Sequence, residues 1–321
     1  MPLPDDEKLL ALAGDILGQF AELFGKHPGF RPAHAKGTML MGTFTPSAGA
    51  ASLTRAPHAT RPSTRVTARF SNSTGIPLLA DNDPNASPRG LAVRFHLAEH
   101  VHTDIVSHST DAFPVRTGAE FLEFLRAAGS SDLAHMSGSP LEAFLGTHPA
   151  ALAFVQSPKP APQSFATEAY FGVTAMRFTN AAGESRFGRF RIVPEAGIAH
   201  LGDAAARAKS PNYLFEEIAE RVARGPVRFR VAVQVARGGD VVDDATVHWP
   251  EGRQQVELGR LELTAAVPNG PREERRIIFD PIPRVDGIDP SADPLLELRA
   301  AVYLISGRRR RAAAELRDQA T

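Results

Sequence analysis

Two stretches of the sequence indicate β structure: Arg65-Val-Thr-Ala-Arg-Phe-Ser71 and Leu91-Ala-Val-Arg-Phe-His96. In the first, apolar or small side chains alternate with polar ones, which is typical of a strand with one buried face. The second has the same β texture. Between them, Ala80-Asp-Asn-Asp-Pro-Asn85 is a run of turn-forming residues. We therefore predict two strands with a turn-rich segment between them.

Outward from these strands, the pattern predicts further strands and four helices. Strands are predicted around residues 39–44, 170–178, 185–193, 227–235 and 258–265, with one short strand within residues 104–115. Helices are predicted at residues 9–24, 118–152, 213–224 and 294–305. For the last helix we expect Asp293 as the N-cap and Gly307 as the stop. Because strands and helices come in blocks, the order favours an α+β fold built on an antiparallel sheet or barrel.

Composition excludes several classes of function. Lys and Arg together number 36, as do Asp and Glu, so no overall field draws the chain to nucleic acid. The absence of cysteine rules out disulfides, thiolate nucleophiles and iron–sulfur clusters. No signal-peptide pattern opens the sequence, and no apolar segment approaches the roughly 20 residues of a membrane helix. We expect a soluble cytoplasmic protein without membrane contact.

Four motifs carry the functional signal. They are Phe30-Arg-Pro-Ala-His-Ala-Lys-Gly37; Ala68-Arg-Phe-Ser71 with the later Ser87-Pro-Arg-Gly-Leu-Ala-Val-Arg-Phe95; Asp104-Ile-Val-Ser-His-Ser-Thr110; and Arg299-Ala-Ala-Val-Tyr303. In this order and at this spacing they resemble the motifs of the catalase family. The resemblance covers about residues 27–311, which is almost the whole chain.

The resemblance implies the fold and the cofactor. It implies a single haem-binding domain over residues 1–321, in which an antiparallel β-barrel with surrounding helices lacks the C-terminal helical domain of typical catalases. In this the chain resembles the minimal catalase-related peroxidases, and the implied cofactor is haem b. Because the sequence has no counterpart of the regions that interlock catalase tetramers, a homodimer is the assembly left open.

Tyr303 is one of three tyrosines and falls in an otherwise apolar helical stretch. Taken alone, it is an ordinary core tyrosine whose hydroxyl finds a partner. Arg299 lies one helical turn earlier on the same face, where a guanidinium favours the phenolate form. The resemblance implies that Tyr303 is the axial ligand of the haem iron.

His34 lies in a loop before the first predicted strand, where a lone histidine is ordinarily a surface or capping residue. The resemblance implies that it is the distal base, whose neutral imidazole takes a proton from peroxide and returns it to the leaving oxygen. Ser71 is then the residue that hydrogen-bonds His34 and fixes its tautomer. Taken alone, Ser71 is an ordinary serine at a strand end.

The remaining implied contacts are to the porphyrin. Arg31, Arg69 and Arg299 are expected around the haem propionates and the phenolate, since buried carboxylates need bidentate partners. Phe121 is expected to stack on the distal face of the porphyrin, and a core phenylalanine is the alternative. The arginine run at residues 308–311 is interpreted first as a solvated helix end. By resemblance, Arg308 and Arg310 also match family arginines near the haem.

One position departs from the family pattern. Catalases carry an Asn as the second distal group, and alignment of Asp104-Ile-Val-Ser-His108 places His108 there. A neutral imidazole also donates one hydrogen bond, but it is bulkier and is expected to titrate near neutral pH. Disproportionation needs a second hydrogen peroxide held accurately, so the change favours peroxidase activity. The alternative is that His108 points elsewhere.

The sequence thus predicts a haem-dependent peroxidase that reduces organic peroxides, and hydrogen peroxide weakly, through a ferryl intermediate. Its partners are the peroxide and a small-molecule electron donor. Three alternatives stay open: true catalase activity, rearrangement of a lipid hydroperoxide as in catalase-like allene oxide synthases, and a non-catalytic haem carrier. Retention of His34 and Ser71 argues against the carrier, which needs only Tyr303 and the arginines.

Overall fold

A closed antiparallel barrel forms the centre of the protein. The computed structural model describes residues 3–132 and 135–318, and its strands are β1 (Gly37–Pro46), β2 (Thr64–Ser71), β3 (Gly90–Ala98), β4 (Val101–His108), β5 (Tyr170–Phe171), β6 (Met176–Thr179), β7 (Ser185–Pro194), β8 (Val227–Val235), β9 (Gln255–Ala266) and β10 (Ile288–Pro290). Strand pairing runs β1-β2-β3-β4-β5-β7-β8-β9 and returns to β1, which closes a barrel of eight strands. Strands β6 and β10 extend the sheet from β7.

Alternation along the strands separates the barrel interior from its outer face. On β2, Val66, Ala68 and Phe70 are buried in the interior cluster, so Arg69 and Ser71 project from the other side. The interior is rich in fully buried phenylalanines, namely Phe44, Phe70, Phe95, Phe165, Phe178 and Phe229. The alternation in the opening motif therefore marks an apolar inner face and an outer face that carries polar groups.

Helices cover the outside of the barrel. In the described residues they are α1 (Glu7–Phe24), α2 (Ala50–Leu53), α3 (Pro57–Thr60), α4 (Gly118–Gly129), α5 (Pro140–Thr147), α6 (Pro149–Gln156), α7 (Asp203–Arg207), α8 (Tyr213–Arg224), α9 (Gly270–Arg276) and α10 (Leu295–Asp318). The apolar faces of α1, α4 and α10 pack together through residues such as Ile16, Leu122 and Leu298, and form one helical layer. None of these described helices is long and apolar enough to cross a membrane.

The predicted α+β fold, an antiparallel barrel with surrounding helices, is confirmed, but several element boundaries differ from the prediction. The helix predicted over residues 118–152 is three helices, because Pro140 and Pro149 each begin a new one; residues 133 and 134 of this range lie outside the described residues. The strand predicted over residues 170–178 is two strands. Phe171 pairs with Arg191 of β7, and Met176 pairs with Gly188. The chain therefore advances five residues where β7 advances three, and the extra residues are left out of the strand pairing.

The last helix, α10, is longer than predicted. The Asp293 carboxylate accepts a hydrogen bond from Leu295 N at 2.9 Å, as expected of a cap. The stop predicted at Gly307 is wrong, because the helix continues to Asp318. Ile278 packs so closely against Gly307 that a Cβ there would overlap it. Close packing, not helix termination, accounts for this glycine.

Candidate active site

A cavity lies between the outer face of the barrel and the helical layer of α1, α4 and α10. The volume of this cavity is about 240 Å³. The ends of β2, β3 and β4 form one wall, and one face of α10 forms another. All eight side chains singled out from the sequence line this cavity: Arg31, His34, Arg69, Ser71, His108, Phe121, Arg299 and Tyr303.

Three neighbouring strand ends position the polar groups of the barrel wall. Ser71 on β2 pairs with Gly90 on β3, and Gly90 pairs with His108 on β4. Directly opposed residues of antiparallel strands share a face, so Ser71 and His108 flank a position that has no side chain. A Cβ on Gly90 would lie 2.5 Å from Ser71 Oγ and 2.9 Å from His34 Nδ1. The glycine therefore leaves the room that the His34 ring occupies.

His34 is held in this space by its backbone and by its ring. Nδ1 lies 3.1 Å from Ser71 Oγ, with the donor set by the tautomer. The φ of 55° is in the left-handed region, which is uncommon outside glycine. The carbonyl oxygen of His34 accepts a hydrogen bond from Arg69 Nη2 at 2.9 Å, and Ala35 N donates to Thr74 O at 3.0 Å. These contacts hold the turn that directs the ring into the cavity.

A buried carboxylate ties the loop of His34 to the strand end of Ser71. Asp81, which is fully buried, accepts hydrogen bonds from Lys36 Nζ and from Asn72 Nδ2, each at 2.7 Å. Lys36 is two residues beyond His34, and Asn72 directly follows Ser71. Sequence reasoning missed Asp81, because it lies in the turn-rich segment between the motifs.

Burial and neighbouring positive charge keep both imidazoles neutral. Burial, with Arg69 as the second cause, lowers the pKa of His34 to about 4. Burial, followed by the charge of Arg299, lowers the pKa of His108 to about 3. His108 Nδ1 accepts a long hydrogen bond from Thr110 N at 3.4 Å, so the proton of the neutral ring is on Nε2. The expectation that His108 titrates near neutral pH is therefore wrong.

One face of α10 supplies the helical wall. Arg299, Tyr303, Ser306 and Arg310 follow one another at three- and four-residue intervals, so they form a single stripe. Arg299 Nη2 donates to Tyr303 Oη at 3.4 Å, and Arg299 Nη1 donates to Thr174 Oγ1 at 3.3 Å. Within the described residues, this long contact is the one hydrogen bond of the phenol oxygen. The oxygen is thus available to a ligand in the cavity.

Three arginines meet at the cavity. Burial, followed by the charges of Arg69 and Arg310, lowers the pKa of Arg31 well below its ordinary value. Burial, followed by the charge of Arg69, lowers the pKa of Arg310 to about 10. In the part of the chain that the structure describes, a single carboxylate, that of Glu274, forms ion pairs with Arg31 and Arg69. Three cations, of which Arg69 and Arg310 are buried and Arg31 is half-buried, lie beside this one anion and favour the binding of further anionic groups.

An aromatic cluster completes the lining next to α4. The ring of Phe121 lies 6.1 Å from that of Phe20 and 5.3 Å from that of Phe113, measured between centroids. Phe20 and Ile16 belong to α1, and both line the cavity. Sequence reasoning missed them, because helical spacing predicts that α1 has a buried face but not what that face contacts.

The arginine run at residues 308–311 is only partly the solvated helix end that was expected. Arg308, Arg309 and Arg311 are exposed, but Arg310 is buried, since the helix continues and turns this position inward. Arg310 donates to the carbonyl oxygens of Arg275 and Ile277 at 2.9 and 2.6 Å. Of the two arginines matched by resemblance, Arg310 lines the cavity and Arg308 does not.

Comparisons with known proteins agree with this architecture. The family model described as Catalase matches residues 28–317. A protein named Catalase-related peroxidase from Mycolicibacterium paratuberculosis is 36% identical over 290 residues, which is 88% of this chain and 89% of that protein. Another of the same name, from Synechococcus elongatus, is 34% identical over 298 residues, which is 91% of this chain and 86% of that protein. The crystal structure of a fungal catalase matches with a TM-score of 0.78 at 23% identity, covering 97% of this chain and 64% of that chain.

The chain belongs to the catalase family, as its motifs predict. It is accordingly an oxidoreductase of the catalase superfamily, and membership implies a haem cofactor and a peroxide substrate. The chemistry of the cavity fits haem on three counts. A phenol oxygen is available to ferric iron, the walls are largely apolar, and the arginine cluster pairs with one carboxylate among the described residues.

Proposed function

We propose that this protein is a haem-dependent peroxidase that reduces organic peroxides with electrons from a small-molecule donor and acts weakly on hydrogen peroxide. The observation that carries the proposal is a single cavity with two neutral imidazoles, His34 and His108, on its barrel wall and Tyr303 on its helical wall. The two relatives of similar length, both named Catalase-related peroxidase, support it.

The residues of the helical wall and the arginine cluster hold the cofactor, which we propose is haem b. Tyr303 Oη binds the iron, and the Arg299 guanidinium beside it offsets the negative charge of a phenolate. Arg31 and Arg69 hold the propionates, and Phe121 stacks on the porphyrin. When bound, haem would supply the redox chemistry that links reduction of the peroxide to oxidation of the donor.

His34 moves the proton. Because Nδ1 is engaged by Ser71 Oγ, Nε2 is the nitrogen that meets an incoming peroxide. Neutral Nε2 accepts the proton of the inner peroxide oxygen and returns it to the outer oxygen, which leaves as an alcohol when the O–O bond breaks. Overall, one hydroperoxide, two electrons and two protons give one alcohol and one water, with the electrons supplied by the donor.

His108 determines which reductant is used. Its Nε2–H presents one fixed donor to the cavity, because Thr110 N occupies Nδ1. Disproportionation needs a second hydrogen peroxide oriented beside the first, and the imidazole takes more of that space than the Asn it replaces. Reduction by an outside donor has no such requirement. The barrel wall therefore favours donor oxidation over oxygen release.

Two activities measured side by side test the proposal. The purified protein is assayed for oxidation of a chromogenic donor with cumene hydroperoxide, and for oxygen release from hydrogen peroxide. We expect donor oxidation to dominate, and His108→Asn to raise the ratio of oxygen release to donor oxidation. His102→Asn is the matched control, because His102 is on the same strand but does not line the cavity.

Each contrary outcome has a defined meaning. Catalase-level oxygen release by the unmodified protein would overturn the peroxidase assignment. Loss of a lipid hydroperoxide without donor oxidation would indicate rearrangement instead. An unchanged ratio in His108→Asn, equal to that of His102→Asn, would remove His108 from the choice of reaction.

A further inference from the structure

A carboxylate of the chain itself occupies the arginine cluster. Glu274 Oε1 accepts hydrogen bonds from Arg69 Nε and from Arg31 Nη1, the latter at 3.4 Å. The Glu274 side chain is 19% exposed, whereas that of Arg69 is 4% exposed. A Cβ on Gly37 would lie 2.7 Å from Glu274 Oε1, so the glycine of the first motif keeps this approach open.

The guanidinium edges that would bind a haem propionate are already engaged. Arg69 uses Nε on Glu274 and Nη2 on Glu274 and the carbonyl oxygen of His34. Arg31 uses Nη1 on Glu274 and Nη2 on Ile277 O at 3.3 Å. A carboxylate binds most strongly when it takes both donors of one guanidinium edge. A propionate and Glu274 therefore compete for the same donors, and their like charges repel.

The segment that carries Glu274 is suited to moving. Helix α9 (Gly270–Arg276) has no buried residue, so little apolar packing opposes its release. Polar contacts hold its end, where Arg310 Nε donates to Arg275 O at 2.9 Å and Arg311 Nε donates to Arg276 O at 2.7 Å.

We infer that Glu274 pairs with Arg31 and Arg69 in the haem-free chain and that a haem propionate displaces it. Glu274 thereby lowers the affinity for the cofactor. This inference rests on the proposed haem site. In the haem-free chain Glu274 offsets the repulsion between Arg31 and Arg69. When haem binds, its propionates offset the repulsion between Arg31 and Arg69 instead, and Glu274 moves into solvent together with α9.

Titration of haem-free protein with haemin tests the inference. Glu274→Gln removes the competing charge, so we expect it to bind haemin about tenfold more tightly than the unmodified protein, the effect of about one charge-assisted hydrogen bond. Haemin dimethyl ester carries no carboxylate, and its affinity is expected to be equal in both proteins. Glu273→Gln is the matched control, because Glu273 is an exposed acid on the same helix.

A second measurement needs no variant and separates displacement from simple repulsion. Amide hydrogen exchange over residues 270–277 of the unmodified protein is expected to rise when haemin binds and to stay unchanged with the dimethyl ester. Weaker haemin binding by Glu274→Gln, or unchanged exchange over this segment, would overturn the inference. If the absorption spectrum shows a tyrosinate-ligated haem while these results fail, the inference alone is wrong. If haemin does not bind the unmodified protein at all, the proposed function is wrong with it.

Discussion

Replacing Gly90 with alanine tests the geometry of the barrel wall more sharply than replacing any polar residue there. The added methyl carbon would lie 2.5 Å from Ser71 Oγ and 2.9 Å from His34 Nδ1, where ordinary contact begins at 3.4 Å. The hydroxyl and the ring would therefore have to retreat by about 0.9 Å and 0.5 Å, respectively. Both groups belong to the pair that we propose handles the peroxide proton.

The expected magnitude follows from that displacement. General acid–base help is worth about 10²–10⁴-fold, and a misplacement of about 1 Å costs about 10²-fold. We expect Gly90→Ala to slow the reaction with cumene hydroperoxide between about 10-fold and 100-fold. Haem content and the resting spectrum should be unchanged, because Tyr303 and Arg299 lie on a different wall.

Stopped-flow absorbance of the haem measures this rate, and a double-mutant cycle with Ser71→Ala supplies the control. Ser71→Ala removes the nearer of the two obstructed atoms, so Gly90→Ala should cost several-fold less in that background than in the unmodified protein. An unchanged rate in Gly90→Ala, or effects of the two substitutions that simply add, would show that Gly90 does not make room for Ser71 and His34.

Two further predictions concern histidines. His34→Ala should retain haem but react with peroxide about 10²–10⁴-fold more slowly. In the unmodified protein this rate should be constant from pH 8 to 5 and halve near pH 4, because only neutral His34 accepts a proton and its pKa is about 4. A rate that halves near pH 6.5 would contradict the burial of the ring. His58 packs against Phe95, and burial lowers its pKa to about 4. Below pH 6.5 this histidine is protonated in the unfolded chain but stays neutral in the folded chain. The free energy of unfolding therefore falls as the pH drops from 6.5 towards 4. His58→Phe should reduce the loss of unfolding free energy between pH 7 and 5 by about 2 kcal/mol in denaturant titrations, and an unchanged pH dependence would rule this out.

The sequence allowed the barrel and most of the cavity to be predicted because both depend on local patterns. The triplet Arg69-Phe70-Ser71 sends its phenylalanine into the barrel and its two polar groups to the cavity, and period-2 alternation expresses that directly. Arg299 and Tyr303 share a helix face by their spacing alone.

The remainder depends on contacts that no local pattern encodes. Gly307 resembles a helix stop, but the partner that requires it, Ile278, lies about thirty residues away in sequence. Glu274 is one of two adjacent acids in a short polar helix, and only the folded chain brings it to Arg69. The lowered pKa of His108 has the same origin, since burial and Arg299 both come from the assembled cavity.

Absorption spectroscopy of the purified ferric protein measures whether Tyr303 binds a haem iron in this cavity. We expect a five-coordinate, high-spin spectrum of a phenolate complex, and we expect Tyr303→Phe to lose that spectrum together with much of the haem. Tyr213→Phe is the control, because Tyr213 Oη is buried and donates to Pro162 O at 2.8 Å, away from the cavity. A Tyr303→Phe protein with unchanged spectrum and haem content would show that Tyr303 is not the iron ligand.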